Sequence, residues 1–490
     1  MKNFIVLDNR KIRYFLKIIF LISLVYFLKL FIQSKINLSL FTSLIYLFFI
    51  HYFLFYVYFF LQKEKNYIPI YPLIFFYHLV TFSMYFYFNQ ELAPIWVNNK
   101  YFIYPDIVLL IKIFSLSLIF FSLGYFILNF VNLKKISFNF NQIHKYEIYL
   151  ITAFLLFIPL YYLNYELGII KLNILSQLKQ PIIIFILSYL QIKYLLSKKF
   201  FFLLCLIIIL IFLFIIEVSF GATVFPFIMI SVLLLLNFYK KQEINLVNIL
   251  LIFLFIYVVH SLKYDVRIAT WSFETKQDIK SSENKLDTKT KNSDILNRVK
   301  KSADVYMTKG VDGILNGINV IGQKRRLFHA NTTLQIAITQ TPSNVDFYEG
   351  KSYKNLLFKF VPRFLYKDKP KEEWGNFWGK RYKILSHDDF ITSWNFPILS
   401  EFYANFGVKG IIFGMFFLGL IIKILLIFLS FNFEQPVLLS MASTIMINFF
   451  FLENNLSLTL GIIIQQLLFF SVIIFSIYIF SFLINQIRNK

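Results

Sequence analysis

The segment Leu38–Leu61 reads LSLFTSLIYLFFIHYFLFYVYFFL and contains no Asp, Glu, Lys or Arg. An α-helix needs about 20 predominantly apolar residues to cross the hydrocarbon core of a bilayer. This segment is long enough to do so, and no charged side chain would have to enter the lipid. It therefore predicts a membrane-spanning helix.

Similar apolar runs recur along the chain and predict about twelve spans in total. They fall into two groups, separated by a long polar interval. The predicted spans are residues 12–32, 38–61, 68–88, 107–130, 147–163, 181–196, 200–217, 222–239, 246–262, 407–431, 436–452 and 456–487. The expected fold is an all-α, polytopic transmembrane helical bundle with one large extracytoplasmic loop between spans 9 and 10.

The composition of the whole chain agrees with a membrane protein. Of its 490 residues, 58% are hydrophobic and only 15% are charged, whereas a soluble domain carries roughly 25% charged residues. Such a chain cannot hide its apolar surface in one water-soluble globule, which excludes soluble, disordered and collagen-like proteins. The single cysteine, Cys205, excludes an intrachain disulfide and a multi-cysteine metal site.

The net charge of +23 predicts an orientation rather than a nucleic-acid partner. If the N-terminus is cytoplasmic, basic residues are more frequent in the inner segments than in the short outer ones, as the positive-inside rule requires. Both termini are then cytoplasmic. The chain divides into an N-terminal transmembrane bundle (1–263), a large extracytoplasmic loop (264–398) and a C-terminal transmembrane bundle (399–490).

The loop has the charge density of a soluble domain, so outer-face chemistry is expected there, with a passive loop as the alternative. A helix is predicted over residues 295–340, because apolar residues recur every four positions near its start. Thr341-Pro342-Ser343 ends it.

Several kinds of chemistry have no motif in this sequence. There is no Walker loop, GxGxxG, HExxH or GxSxG motif. The six histidines are scattered without metal-ligand spacing, so neither a metal nor another cofactor is expected. The predicted spans hold few acidic residues, which argues against a proton-coupled transporter.

The most informative stretch closes the loop. It contains Pro362-Arg363, then Lys369-Pro370, then Gly375 and Gly379, and finally Glu401-Phe402-Tyr403-Ala404-Asn405-Phe406-Gly407. This order resembles the membrane oligosaccharide repeat-unit polymerases, also called O-antigen or Wzy-type polymerases. In that family a glycine-rich turn follows the Lys-Pro element, and the Glu-x-Tyr-x-Asn-Phe-Gly segment opens a glycine-bearing helix.

Two further elements extend the resemblance, which covers residues 341–419. They are Thr341-Pro342 and Glu349-Gly350-Lys351-Ser352-Tyr353. One departure concerns an arginine that many relatives carry at the outer start of a middle span. Ser219-Phe220-Gly221-Ala222-Thr223 stands there in this chain, so the resemblance requires another cation, for which Lys324, Arg325 and Arg326 are candidates.

The resemblance implies a metal-independent glycosyltransferase of surface polysaccharide biosynthesis in the bacterial cytoplasmic (inner) membrane. Its partners would be the lipid bilayer and a polyprenyl-diphosphate-linked glycan, of the undecaprenyl-diphosphate type. The growing glycan would leave its lipid diphosphate and join a sugar hydroxyl of an incoming lipid-linked unit. The sequence leaves open the sugar and whether a chain-length regulator is a partner.

That reaction needs a fixed cation at the leaving diphosphate and a base at the acceptor hydroxyl. Arg363 is the preferred cation, because its planar fork can bind two phosphate oxygens and Pro362 stiffens the backbone. Glu401 is the preferred base, with a charge at a helix N-terminus as its structural alternative. His387 with Asp388 is the alternative base. The remaining candidates, all assigned to substrate binding, are Lys324, Arg325, Arg326, Lys369, Arg381, Trp394, Tyr403 and Asn405.

Three other functions were compatible with parts of this pattern. An O-antigen ligase-like enzyme would use the same donor with a lipid A core acceptor. A flippase or exporter of the same lipid would have a charged central cavity rather than one dominant outer loop. A polyprenyl-monophosphate mannosyltransferase would carry acids in a substantial first outer loop, whereas residues 33–37 are few and contain none.

Overall fold

The structure is a computed structural model, and it describes an α-helical protein in which short helices and turns connect long apolar helices. The residues that it describes are 6–7, 17–18, 21, 25, 28–29, 32, 38–61, 70–78, 95–97, 101–103, 107–131, 141–167, 173–197, 199–217, 244–245, 300, 304–305, 307–310, 329–361, 366, 368, 373–390, 392–429, 435–449 and 454–488.

Eleven α-helices lie within these residues, and four very short strands form two antiparallel pairs. The helices are α1 Leu38–Leu61, α2 Ile70–His78, α3 Ile107–Ile127, α4 Asn141–Leu167, α5 Asn173–Ser197, α6 Phe200–Glu217, α7 His329–Gln340, α8 Trp374–Arg381, α9 Ile398–Leu429, α10 Pro436–Met446 and α11 Leu456–Arg488. The strands are β1 Val6–Leu7, β2 Ile95–Val97, β3 Tyr101–Ile103 and β4 Ile244–Asn245, paired as β1 with β4 and β2 with β3.

Four helices are long and apolar enough to cross a membrane: Phe41–Tyr58, Val108–Phe130, Ile398–Leu429 and Leu456–Ile479. Three shorter apolar helices accompany them: Tyr146–Tyr161, Phe200–Ile209 and Pro436–Phe449. The all-helical membrane architecture is thus confirmed in its coarse form. The total of about twelve spans remains a prediction, and the predicted spans 222–239 and 246–262 lie outside the described residues.

Two glycines bring α3 and α9 into close contact. A Cβ atom at Gly124 would lie 1.9 Å from the carbonyl oxygen of Phe416, and one at Gly419 would lie 2.2 Å from that of Phe121. Any larger residue would therefore force the two backbones apart. Small residues at such crossings are typical of helix packing in membranes, where close van der Waals contact replaces the hydrophobic driving force.

An ion pair joins the start of α4 to the end of α5. Lys193 Nζ lies 2.7 Å from Glu147 Oε1, and the Tyr189 hydroxyl donates a hydrogen bond to the same oxygen. Glu147 is buried, so these partners satisfy a carboxylate that would otherwise be costly. The two helices therefore run antiparallel at this point and have these ends on one side of the bundle. The basic-residue distribution predicts that this side is cytoplasmic.

Two histidines in the N-terminal helices are packed in the interior and hydrogen-bonded. His51 Nδ1 lies 2.7 Å from the carbonyl oxygen of Leu47, and His78 Nε2 lies 3.0 Å from the hydroxyl of Ser117 in α3. Both rings are buried. They contribute to helix packing between α1, α2 and α3.

Candidate functional site

Thr341 is the first residue of the segment that carries the family resemblance, and its hydroxyl makes a buried hydrogen bond. Helix α7 ends at Gln340, as the Thr341-Pro342-Ser343 break predicts. The buried hydroxyl of Thr341 hydrogen-bonds the hydroxyl of Tyr382 at 2.8 Å. Burial raises the pKa of Tyr382 to about 12, so the phenol stays protonated at neutral pH. This bond joins the end of α7 to the residue that follows α8.

Trp378 lies in an aromatic cluster at the centre of this segment. Its ring stacks on Phe396 with a centroid distance of 4.6 Å, and Tyr382 lies 5.3 Å from Phe396 on a nearly parallel plane. The edge-on contact with Tyr348 has a centroid distance of 5.3 Å. Trp378 and Phe396 are buried. The described part of the segment is thus packed around its own aromatic core.

Gly375 and Gly379 lie in helix α8 and not in the glycine-rich turn that the resemblance implied. Their spacing of four places both on one helix face. A Cβ atom would lie 2.0 Å from Ser393 Oγ at Gly375 and 2.5 Å from the Leu385 side chain at Gly379. Close packing across this face therefore requires glycine, and it offsets the low helix propensity of the two residues. The backbone of Trp394 also donates to the carbonyl of Gly375.

Helix α9 is kinked at Gly407. Its backbone angles are φ 62° and ψ −144°, in a region that is essentially confined to glycine. The Phe402 carbonyl oxygen lies 2.1 Å from where a Cβ atom of Gly410 would be. Eight residues of continuous helix would separate them by about 12 Å. Residues 398–406 therefore fold back onto residues 408–429.

The fold-back brings Phe402 over a second glycine. A Cβ atom at Gly414 would lie 2.5 Å from the Phe402 ring. Gly410 and Gly414 thus allow residues 398–406 to pack closely against residues 408–429. Residues 398–406 thus form a separate short helix before the kink, and the apolar helix that follows the kink lies within the predicted span 407–431.

The side chain of Asn405 joins this helix to the Glu349–Tyr353 region. Its Oδ1 accepts a hydrogen bond from the Gly350 nitrogen at 2.9 Å. Its Nδ2 donates to Ser352 Oγ at 3.0 Å and to the Glu401 carbonyl oxygen at 2.8 Å. The residue is fully buried, and these three bonds use its acceptor and both donor directions. The structure therefore gives Asn405 contacts that position both segments, and its assignment to substrate binding stays a prediction.

Backbone bonds reinforce the same junction. The Tyr348 nitrogen donates to the Ala404 carbonyl at 2.9 Å, and the Glu349 nitrogen donates to the Asn405 carbonyl at 3.2 Å. These acceptors are among the last carbonyls of the short helix, which have no partner within it. The two sequence elements that carry much of the resemblance thus satisfy each other's backbone groups.

Glu401 is fully buried within the short helix. Its Oε2 accepts a hydrogen bond from the Leu456 nitrogen at 2.7 Å, at the first residue of α11. The carboxylate therefore sits at the positive end of a long helix dipole. The structural alternative for Glu401 was a charge that stabilises the N-terminus of a helix. The structure agrees with that alternative, but the stabilised helix is α11 and not the helix that contains Glu401.

Tyr353 lies beside the same carboxylate. Burial, and secondly the Glu401 charge, raise the pKa of the Tyr353 phenol above its ordinary value. The phenol is therefore neutral at physiological pH. Glu401, Asn405, Ser352 and Tyr353 together form a buried polar group at the junction between the loop segment and the C-terminal helices.

The guanidinium of Arg381 is engaged within the loop segment. Its Nη2 donates to the Asp346 carbonyl at 2.7 Å, and its Cζ lies 4.9 Å from the Tyr348 ring centroid. The side chain is half-buried. These contacts orient Arg381 at the edge of the aromatic cluster, where it keeps partial access to solvent.

The other predicted site residues that the structure describes differ in exposure. His387 and Asp388 are exposed in a turn after α8, which Asn376 fixes by donating to the Asp389 and Thr392 carbonyls. Trp394 is half-buried and donates from Nε1 to Thr333 Oγ1 at 3.2 Å. Tyr403 is buried.

Five predicted cations lie outside the described residues. They are Lys324, Arg325, Arg326, Arg363 and Lys369. Their proposed roles rest on the sequence alone. Within the described residues, no group of three or more His, Cys, Asp or Glu side chains could hold a metal ion.

Two buried residues have contacts to which the sequence assigned no role. Lys423 is buried within α9, with its Nζ 5.0 Å from the Tyr125 ring centroid in α3. A lysine inside an apolar run is a sequence signal that could have been followed. Ser352 is the second, because nothing local marks it as the partner of Asn405, which lies 53 positions away.

Comparison with known proteins assigns no family to the chain. No family profile, curated protein or solved structure matches it.

Proposed function

We propose that this protein polymerises polyprenyl-diphosphate-linked oligosaccharide repeat units at the outer face of the cytoplasmic membrane. The growing glycan is transferred from its lipid diphosphate to a hydroxyl of the incoming lipid-linked unit. The glycosidic bond to the diphosphate breaks, a new glycosidic bond forms, and the acceptor hydroxyl loses its proton. The proposed reaction uses no metal ion, because cationic side chains can neutralise the charge on the leaving diphosphate.

One observation supports the proposal most directly. The two elements Glu349-Gly350-Lys351-Ser352-Tyr353 and Glu401–Gly407 are far apart in the sequence, yet Asn405 hydrogen-bonds them together. Both belong to the stretch that resembles the polymerases. A chance resemblance of two isolated motifs gives no reason for them to pack as one unit above an apolar helix.

The proposal gives different roles to the candidate bases. Because Glu401 accepts a hydrogen bond from the first residue of α11, the proposal assigns it a positioning role, and its catalytic role stays a prediction from the sequence. His387 and Asp388 are exposed, so an acceptor hydroxyl can reach them. Proton transfer requires hydrogen-bond contact with the acceptor. The base is therefore assigned to the His387–Asp388 turn.

The cation at the leaving diphosphate is assigned to Arg363. A guanidinium forms two parallel hydrogen bonds to phosphate oxygens, which an ammonium does not. Arg381 is placed as a second cation that contacts the glycan or the diphosphate from the edge of the aromatic cluster. Lys324, Arg325, Arg326 and Lys369 remain assigned to substrate binding on the sequence alone.

Deletion of the gene in its own host tests this function. If the protein is the polymerase, surface glycan will carry single repeat units and the ladder of longer chains will disappear. Loss of a ligase would instead leave the acceptor without any repeat unit. Loss of a flippase would leave lipid-linked units on the cytoplasmic side. Restoration of the ladder by the plasmid-borne gene is the required control, and an unchanged ladder in the deletion strain would refute the proposal.

A further inference from the structure

Helix α7 combines a polar sequence with almost complete burial. It reads HANTTLQIAITQ, and more than half of its residues are polar. Nevertheless Asn331, Thr333 and Gln335 are at most 1% exposed, as are Ala330 and Leu334. A polar helix in the interior of a protein needs hydrogen-bond partners for its side chains, because unsatisfied buried polar groups are costly.

Two carboxamides on this helix, Asn331 and Gln335, form what we call the amide pair. They are four residues apart and thus share one face of the helix. Gln335 Nε2 donates to Asn331 Oδ1 at 3.0 Å. Among the described residues, neither Asn331 Nδ2 nor Gln335 Oε1 has a hydrogen-bond partner. The pair therefore offers one donor and one acceptor to a missing group.

This conclusion does not depend on how the amides are oriented. The oxygen and nitrogen of a carboxamide are assigned from its hydrogen bonds and can be interchanged. If both amides are flipped, Asn331 becomes the donor to Gln335, and one donor and one acceptor again remain. A missing group must therefore accept one hydrogen bond and donate another in either orientation.

The chemistry of the amide pair selects a neutral group. Helix α7 contains no Asp, Glu, Lys or Arg, and the amide pair itself carries no charge that complements a diphosphate. A hydroxyl or a secondary amide both accepts and donates, and sugars carry hydroxyls and often acetamido groups. Water has the same capacity. A sugar and a water molecule are thus the two ligands considered that can both accept and donate a hydrogen bond here.

The position of α7 favours the sugar. The helix packs against α9, and Thr333 accepts the hydrogen bond of Trp394. Trp394 in turn packs on α8, because its backbone nitrogen donates to the Gly375 carbonyl at 3.2 Å. The amide pair is therefore built into the same structural unit as the candidate site. We propose that Asn331 and Gln335 bind a hydroxyl or acetamido group of the glycan, an inference that rests on the proposed polymerase function. Because both amides are closed to solvent in this structure, the glycan binds them only when the packing over α7 opens.

The test replaces both amides with apolar residues of similar volume, as Asn331→Leu with Gln335→Met. Removal of two hydrogen bonds to substrate should reduce ladder formation per unit of membrane protein by at least about tenfold. The midpoint of thermal unfolding should stay the same or rise, because two unsatisfied buried groups disappear. Thr339→Val is the matched control, since the Thr339 hydroxyl bonds only to carbonyls of its own helix among the contacts described, and it should keep full ladders.

Three results would overturn the inference in distinguishable ways. Full ladders from the double variant would mean that the amide pair holds water only. A lower unfolding midpoint would mean that the amides have structural partners within the protein. If the deletion strain itself keeps its ladder, the polymerase function fails, and the amide pair is then tested by titration with N-acetylglucosamine. That sugar should raise the unfolding midpoint of the wild-type protein but not of the double variant, and equal effects would refute the site.

Discussion

The Oε2 atom of Glu401 lies 2.7 Å from the backbone nitrogen of Leu456, the first residue of α11. This single bond links the short helix that carries the Glu-x-Tyr-x-Asn-Phe-Gly element to the last long helix of the protein. Asn405 links the same short helix to Gly350 and Ser352. The loop segment and the C-terminal helices are therefore positioned relative to one another by two buried side chains.

Glu401→Gln and Glu401→Ala should distinguish a structural role of Glu401 at the N-terminus of α11 from a role as the catalytic base. Glutamine keeps an acceptor for the Leu456 nitrogen and loses only the charge at the helix N-terminus, so it should cost about 0.3–1 kcal/mol of stability and keep most of the ladder. Alanine leaves a buried N–H without its partner and should cost about 1–3 kcal/mol. The measurement is the unfolding midpoint together with ladder intensity per unit of folded protein.

The opposite pattern would restore Glu401 as the catalytic base. In that case Glu401→Gln would abolish turnover while the unfolding midpoint and lipid-linked donor binding stayed normal. Glu349→Gln is a suitable control, because Glu349 is exposed and makes a 3.8 Å ion pair with Lys351 that contributes little.

Asn405→Leu should destabilise the junction strongly. The substitution removes the partners of the Gly350 nitrogen, the Ser352 hydroxyl and the Glu401 carbonyl, all inside the protein. Each unsatisfied buried group costs about 1–3 kcal/mol, so the amount of folded protein in the membrane should fall. Asn344→Leu is the control, because Asn344 is exposed. A normal unfolding midpoint with weak substrate binding would show that Asn405 contacts the substrate instead.

Arg363→Lys should impair polymerisation nearly as much as Arg363→Ala. Lysine keeps the charge but loses the planar fork that binds two phosphate oxygens. Loss of one preorganised group at the developing charge costs roughly 3 kcal/mol, or about a hundredfold in rate. Ladder formation should be normalised to protein level in the membrane. Full ladders from the lysine variant would eliminate the two-pronged phosphate contact.

The orientation of the chain can be tested with reporter fusions after Ser293. The distribution of basic residues predicts that this position lies outside the cytoplasmic membrane. An alkaline phosphatase fused there should be active, because that enzyme matures only outside the cytoplasm, and a cytoplasmic reporter should be silent. The reverse result would exclude chemistry at the outer face.

The helices were predictable wherever an apolar run was long and clearly bounded. The predicted bounds of α1 and α6 agree with the structure residue for residue. Asn37 and Gln62 flank the first run, whereas Lys199 precedes the second and Glu217 ends it. The end of α7 was also predictable, since Pro342 cannot continue a helix. By contrast, the family resemblance implied a glycine-rich turn where α8 lies. The packing of Gly375 and Gly379 against Ser393 and Leu385, which compensates for their low helix propensity, is not visible in the local sequence.

The candidate site was less predictable than the helices. The sequence marked Glu401 and Asn405 as important, but their partners Leu456 and Ser352 lie more than fifty positions away. No local pattern specifies such pairs. The burial of the amide pair was also not predictable from the sequence, because the polar composition of α7 is typical of an exposed helix.

The most direct test is polymerisation by the purified protein in liposomes. The substrate is the lipid-linked repeat unit that accumulates in the deletion strain, and the product is measured as glycan length on the lipid by mass spectrometry. The proposed function predicts lipid-linked chains of two or more repeat units, with one polyprenyl diphosphate released for each new bond, in the presence of a metal chelator. Recovery of single repeat units only, from protein that is folded by its unfolding profile, would contradict it.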